Sequence, residues 1–547
     1  MKRRTLIKGA LTGVSSLYLS QFYKKAFGAV PSGNSFANGP FQPTWESLSN
    51  YQVPEWFRDA KFGMWAHWSP QCQPERGDWY ARGMYQEGSD QYNYHCQKYG
   101  HPSKFGFKDV INEWKADKWD PEELVSLYKN AGAKYFVGLA NHHDNFDLYD
   151  SKYQSWNSTR FGPKKDIIKG WAEAAKRNGL PFGVSIHGSH PWTWYEVAQR
   201  SDKKGPLAGV PYDGKLTKAD GKGKWWDGYD PQELYAQNHP LSEKSEDNGS
   251  IHRQWAWGNG AYPPSKAYCE KFYNRTIDLI NKYEPDLVYF DDTVLPLWPV
   301  SDAGLRIAAH MYNRSISKHG KLTAVINGKI LDEQQRKCMV WDIERGQSNS
   351  IEPLPWQTDT CIGGWHYERR IYDDNSYKSA KTVIHTLVDV VSKNGNLLLN
   401  IPVRGDGSID EKERAIVGGI TDWMHVNSEA IYGTRPWTTF GEGPAMESAA
   451  PLSAQGFNEG KGKPFTDKDI RFTTKGKTLY ATLLGWPADG EALITSLAGK
   501  GKVNAVSMLG NNSQLAFKQE QNGLQVKMPG TQPAKDAVVL KIEGAIV

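Results

Sequence analysis

No run of about 18 consecutive apolar residues occurs in the 547-residue chain, so a membrane-spanning helix is excluded. Cysteine is scarce. The five (Cys72, Cys96, Cys269, Cys338 and Cys361) lie far apart, and no CxxC pair suggests a zinc site. Their odd number leaves at least one thiol free, and spacing assigns no disulfide. No glycine-rich phosphate loop follows the first buried strand, which argues against a dinucleotide fold. No internal repeat of 20–50 residues is present.

An excess of basic charge is also missing once the N-terminus is set apart. Lys2, Arg3, Arg4, Lys8, Lys24 and Lys25 lie in residues 1–29, which hold no acidic residue. The remainder has 60 basic residues against 61 acidic ones, so the charge gives no reason to expect a nucleic-acid partner. Arg3 and Arg4, the modest apolar stretch Gly9–Leu19 and the small residues Ala26, Gly28 and Ala29 read as a twin-arginine export signal. The expected location is periplasmic or secreted.

What is present is a recurring unit. Asp120 suits a helix N-cap, Pro121 the first helical position, and Gly132 a C-terminal stop. The following apolar run, KYFVGLA, ends in Asn141, His142, His143 and Asp144. Similar runs end in His67 and Trp68, in His187 and His190, in Asp291 and Asp292, and in Asp342, Glu344 and Arg345; KLTAVING and NLLLNIPV complete the set. About seven buried strands alternate with helices, which implies a parallel sheet. Polar ends on many strands, rather than at one switch point, favour a closed (β/α)8 TIM barrel.

The expected organisation is a lead-in over 30–50, a catalytic barrel over 51–431 with a long insert at 201–264, and a C-terminal all-β sandwich over 432–547. The insert follows the strand ending at His187, so it should lie over the catalytic face. TLYATLLGW, GLQVKM and AVVLKIEG supply the alternation expected of sandwich strands.

The strand ends admit three chemistries. His142, His143, Asp144, His187 and His190 offer metal ligands, but adjacent histidines on an extended strand point to opposite faces and no third ligand has convincing spacing. Asp291 and Glu344 offer the two carboxylates of a glycosidase, with burial and Arg345 to push their pKa values apart. A non-catalytic carbohydrate-binding protein would use the same aromatics. Trp and Tyr are abundant, at 22 and 27. Trp68, Trp79, Trp192, Trp194, Trp356 and Trp365 adjoin polar strand ends, where aromatic faces suit sugars as well as a core.

The ordered set WFRDAKFGMWAHWSP, GDWYARGMY, AKYFVGLANHHDNFDLYDSKYQSWNS, LPFGVSIHG, DLVYFDD, WQTDTCIGGWHY and NLLLNIPVRGDGSID resembles the α-L-fucosidases of glycoside hydrolase family 29 from about Trp56 to Trp437. The resemblance implies a retaining exo-hydrolase of fucosylated oligo- or polysaccharides that uses neither metal nor cofactor. The family's W-F-D-G matches Tyr289-Phe290-Asp291-Asp292, which makes Asp291 the nucleophile. Its His-Trp matches His67-Trp68, its E-W-Y matches Asp78-Trp79-Tyr80, and its His-His-Asp matches His142-His143-Asp144. His67, Trp68, Asp78, Trp79, His142 and His143, with His187, Trp356 and Trp365, are the expected sugar contacts. Two departures stand out: Asp292 replaces the glycine, and Ser185-Ile186-His187 replaces Tyr-Tyr-Ser. Glu344 is the expected acid/base, with Asp342, Glu352 and Asp359 as alternatives. An α-L-galactosidase on the same scaffold is the alternative activity, since that sugar differs from α-L-fucose only by a C6 hydroxyl.

Overall fold

The computed structural model describes residues 37–236, 239–448 and 457–546. The twin-arginine segment and the first part of the lead-in lie outside the described residues. Eight parallel strands close into a barrel in chain order. They are β1 (Phe62–Ala66), β2 (Phe136–Asn141), β3 (Phe182–Ile186), β4 (Leu287–Thr293), β5 (Val325–Lys329), β6 (Val340–Glu344), β7 (Trp356–Cys361) and β8 (Gly395–Asn400). β8 pairs with β1 through Phe62 and Leu397, which closes the ring.

The helices start and stop where local chemistry dictates. Asp120 accepts the Glu123 N–H at 3.0 Å and opens the helix Pro121–Asn130. Gly132 follows with φ of 102°, a conformation only glycine adopts without strain, and the chain turns directly into β2. Asp166 caps Ile167–Arg177 in the same way. Leu124, Val125 and Tyr128, and then Ile168 and Trp171, are the buried faces of these two helices.

β7 was not among the seven strands read from apolar runs. It carries Gln357, Thr358, Asp359 and Thr360, all buried. Burial is tolerated because each main polar group has a partner. Tyr135 donates to Gln357 Oε1 at 2.8 Å, Gln357 Nε2 donates to Asp342 at 2.7 Å, and Tyr289 donates to Asp359 at 2.8 Å.

Beyond the helix Glu411–Asn427 the chain forms two antiparallel sheets. One contains β9 (Arg435–Glu442), β10 (Ile470–Lys475), β11 (Thr478–Leu483), β13 (Ala505–Met508), β14 (Asn511–Gln514) and β17 (Val538–Glu543). The other contains β12 (Glu491–Ile494), β15 (Phe517–Glu520) and β16 (Gly523–Lys527). Phe472, Leu479 and Ala481 of the first share one core with Ile494, Leu524 and Val526 of the second, as a sandwich requires. The helix Ala380–Ser392 ties this region to the barrel. Its buried Asp389 accepts from Lys393 at 2.6 Å and from Arg471 of β10. All five cysteines are unpaired. Among the described residues, no helix is long and apolar enough to cross a membrane.

Candidate active site

The C-terminal ends of the barrel strands surround a cavity of about 260 Å³. Trp65, His67, Asp78, Trp79, His142, His187, Asp291, Glu344 and Trp365 line it, together with His252 and Trp255 of the long insert. The insert is fastened by the buried Arg82, which donates to Asn248 at 2.8 Å and to the Ser245 carbonyl at 2.6 Å. His252 then stacks on Trp79 with ring centroids 4.8 Å apart.

At the centre are three consecutive strand ends. β5 lies between β4 and β6, so its terminal Lys329 reaches a carboxylate on either side. Lys329 Nζ donates to Asp291 Oδ1 at 2.6 Å and to Glu344 Oε2 at 2.5 Å. These two oxygens can therefore be no farther apart than the two bonds laid end to end. That limit falls short of the roughly 6.5–9.5 Å between the carboxyl groups of inverting glycosidases. The opposite oxygen of Asp291 has His187 Nδ1 at 3.0 Å and His143 Nε2 at 3.3 Å.

This arrangement separates the two carboxyls electrostatically. Burial alone would raise Asp291, but Lys329, His187 and His143 outweigh it and hold its carboxyl well below the usual range. Glu344 has the same cation but fewer donors. Burial, with the charges of Asp291 and Asp359, pushes it up to about 7. Lys329 stays ionised because four surrounding carboxyl groups overcome its burial. Arg345, expected to tune Glu344, points to Glu459 instead, with Nε 3.3 Å from its carboxylate. The tuning cation is Lys329, which the sequence reading passed over.

Asp292 also borders the cavity, with one carboxylate oxygen already engaged. It accepts from Ser189 at 2.6 Å and lies 2.7 Å from His190 Nε2. Of the alternative acids, Asp342 and Asp359 are held by Gln357 and Tyr289. Glu352 lies outside the cavity, paired with Ser348 at 2.5 Å and Arg336 at 3.4 Å.

The histidines form one wall. β2 ends at Asn141, and a turn closed by the Asn145 N–H on the His142 carbonyl at 3.0 Å follows. The alternation rule therefore does not apply to His142 and His143, and both reach the site. His142 receives Gln71 Nε2 at 2.8 Å on Nδ1, while His143 Nδ1 bonds the His187 carbonyl at 2.9 Å. His366 bonds Ser69 at 2.9 Å and Asp78 at 2.6 Å, so both of its nitrogens are engaged. Burial, reinforced by neighbouring imidazoles, holds His67 and His142 well below the ordinary histidine value. Burial also lowers His187 to about 4, against the pull of Asp291. Such neutral rings each present a donor and an acceptor. Both nitrogens of His67 and Nε2 of His187 have no hydrogen-bond partner among the described residues. Ligand atoms of His67, Asp78, His142 and His366 lie within 4.8 Å of one another. Because His366 is already bonded at both nitrogens, this group fits hydroxyl recognition better than coordination.

Two expected sugar contacts are core residues. Trp68 is buried against Trp114 and Trp119 and donates to the Arg404 carbonyl at 2.8 Å. Trp356 is the first residue of β7, at the opposite end of the barrel, where it packs on Ile343 and Val390. Gln71, His252, Trp255 and Lys329 are site residues that the sequence reading did not name.

Comparison with known proteins bears on the family and the fold. The alpha-L-fucosidase family model matches residues 29–429, and the alpha-L-fucosidase C-terminal domain model matches 463–543. Tissue alpha-L-fucosidase of Rattus norvegicus is 26% identical over 529 residues, covering 92% of each chain. Plasma alpha-L-fucosidase of Homo sapiens is 26% identical over 514 residues, covering 89% of this chain and 88% of that one. A Thermotoga maritima alpha-L-fucosynthase structure shares the fold with a TM-score of 0.67 at 24% identity, covering 92% of this chain and 99% of that one. An alpha-L-fucosidase from Bacteroides thetaiotaomicron does so with a TM-score of 0.59 at 17% identity, covering 94% and 99%. With a barrel that matches one model, a sandwich that matches the other and a carboxylate pair at the strand ends, the chain belongs to the alpha-L-fucosidase family, glycoside hydrolase family 29.

Proposed function

We propose that this protein releases α-L-fucose from glycan ends by double displacement, with Asp291 as nucleophile and Glu344 as acid/base. The observation that carries the assignment is the shared ammonium of Lys329, 2.6 Å and 2.5 Å from the two carboxyl groups. Asp291 attacks the anomeric carbon as Glu344 gives its proton to the departing oxygen. Asp291 is then an uncharged ester and Glu344 a carboxylate. Of the two carboxyl groups that Lys329 bridges, one is negative before the step and one after it, so the step adds no net charge to that pair. Glu344 next takes a proton from water, which attacks the glycosyl-enzyme and restores Asp291.

His67, His142 and His187 read the sugar hydroxyls. Trp65, 5.1 Å from Tyr289 and 5.4 Å from Trp365, gives the cavity an aromatic wall suited to the C6 methyl of fucose. The small volume of the cavity, about 260 Å³, favours a terminal residue over an internal one. The Arg3-Arg4 pattern supports export to the periplasm or beyond, to be checked by fractionating cells that carry the chain with Arg3 and Arg4 intact or changed to Lys.

Hydrolysis of nitrophenyl α-L-fucoside, followed by NMR from the first turnover, tests the reading. The expected result is α-L-fucose as the first anomer and a higher kcat/KM than on nitrophenyl α-L-galactoside. A β first product, or a preference for the galactoside, contradicts it.

A further inference from the structure

Residues 457–459 fall between the stretches matched by the two family models, which end at 429 and resume at 463. They nevertheless run along the end of β6. The Phe457 N–H donates to the Glu344 carbonyl at 3.0 Å, and the Glu459 N–H donates to the Arg345 carbonyl at 2.9 Å. Between them, the Asn458 side chain accepts the Gln347 N–H at 2.9 Å and donates to the Gln347 carbonyl at 3.0 Å. Glu459 then anchors the segment. Its carboxylate accepts from Thr360 of β7 at 2.8 Å, from Lys378 at 2.5 Å and from Arg345 at 3.3 Å. The outcome is that Phe457 lines the catalytic cavity beside Lys329, Ile330, Glu344 and Arg345.

Position defines what this ring can do. His67, His142 and His187 follow the ends of β1 to β3, across the barrel from β6, so the sugar whose hydroxyls they read lies on that side. The acid must touch the oxygen that departs, so atoms adjoining Glu344 border the departing group. Phe457 adjoins Glu344 through its own backbone. An aromatic face placed there offers an apolar surface to the C–H face of a pyranose, and it discriminates little between hydroxyl patterns.

We propose that Phe457 forms a wall of the subsite for the sugar that leaves with the glycosidic oxygen, and that Glu459 is the positioning residue that holds it there. The inference rests on the fucosidase reading. It deepens that reading by assigning leaving-group preference to a segment outside both family models.

The test compares kcat/KM on α-L-fucosyl fluoride, whose leaving group has no ring, with that on an α-L-fucosyl-galactose disaccharide. Wild type, Phe457→Ala, Phe457→Tyr and Glu459→Gln are measured on both. The ratio of the two values for one preparation cancels any misfolded fraction. Phe457→Ala should lower the disaccharide value roughly 5–10-fold while the fluoride stays within about twofold. Phe457→Tyr should restore the wild-type ratio, and Glu459→Gln should shift it in the same direction as Phe457→Ala. An equal loss on both substrates, or no change on either, overturns the proposal. A wild type inert toward the fluoride refutes the fucosidase reading itself, and this inference with it.

Discussion

Lys329 Nζ lies 2.6 Å from Asp291 Oδ1, and the same nitrogen reaches Glu344 at 2.5 Å. One cation thus acts on both groups proposed for catalysis, holding Asp291 ionised and opposing the burial that raises Glu344. Lys329→Met should lower kcat/KM on nitrophenyl α-L-fucoside by at least about 100-fold, the scale seen when a preorganised electrostatic group is lost. Lys329 lowers the pKa of both carboxyls, so its removal raises both. Asp291 must be ionised, which moves the acidic limb of the pH profile to higher pH. Glu344 must be protonated, which moves the alkaline limb to higher pH as well. A profile reduced in height but fixed in position would contradict this role.

Glu344, held at about 7 chiefly by burial, should set the alkaline limb of wild-type kcat/KM near neutrality. Glu344→Gln should lose roughly 10²–10⁴-fold on fucosyl disaccharides. The loss should be smaller on aryl fucosides with acidic phenols, which depart without a proton. Parallel losses on both substrate types would assign the acid elsewhere.

How much of this was legible in the sequence depended on partners along the chain. The caps at Asp120 and Asp166 and the strand ends at Asp291 and Glu344 are local features, and reading them needed no tertiary knowledge. β7 was hidden because its inward residues are polar; Gln357 and Asp359 are satisfied only by Tyr135, Asp342 and Tyr289, which lie far away in sequence. Lys329 is hard to see in sequence because the apolar run VING ends one residue before it, and a lysine at a barrel strand end is the only local signal. Trp68 and Trp356 could not be told from Trp79 and Trp365 by sequence, since a tryptophan beside a polar residue packs inward or faces a ligand according to contacts made elsewhere. His252 and Trp255 sit in an insert with no periodicity, and Arg82 is what brings them to the site.

The contact between barrel and sandwich carries its own prediction. Burial would raise Asp389, but Lys393 and Arg471 hold its carboxyl below the usual range. Burial also lowers Lys393, so Arg471 is the firmer partner. Because the folded pKa is depressed, this stabilisation is fully present above about pH 4, the unfolded carboxylate value. It is lost as pH falls further. Asp389→Ala leaves Arg471 buried without its counter-ion and should cost about 3–5 kcal/mol. Thermal melts at pH 7 and pH 3.5 should show a smaller difference between wild type and variant at the lower pH. An equal difference at both pH values would contradict the linkage.

The central claim, that Asp291 is the nucleophile of a double displacement, is tested most directly by azide. Asp291→Ala, given an aryl α-L-fucoside with an acidic phenol, should be nearly inactive alone and should regain turnover with sodium azide. Azide then enters by a single displacement, so the product expected is β-L-fucosyl azide, identified by its anomeric coupling in NMR. Full activity without azide, or rescue that yields the α-azide, would contradict the account.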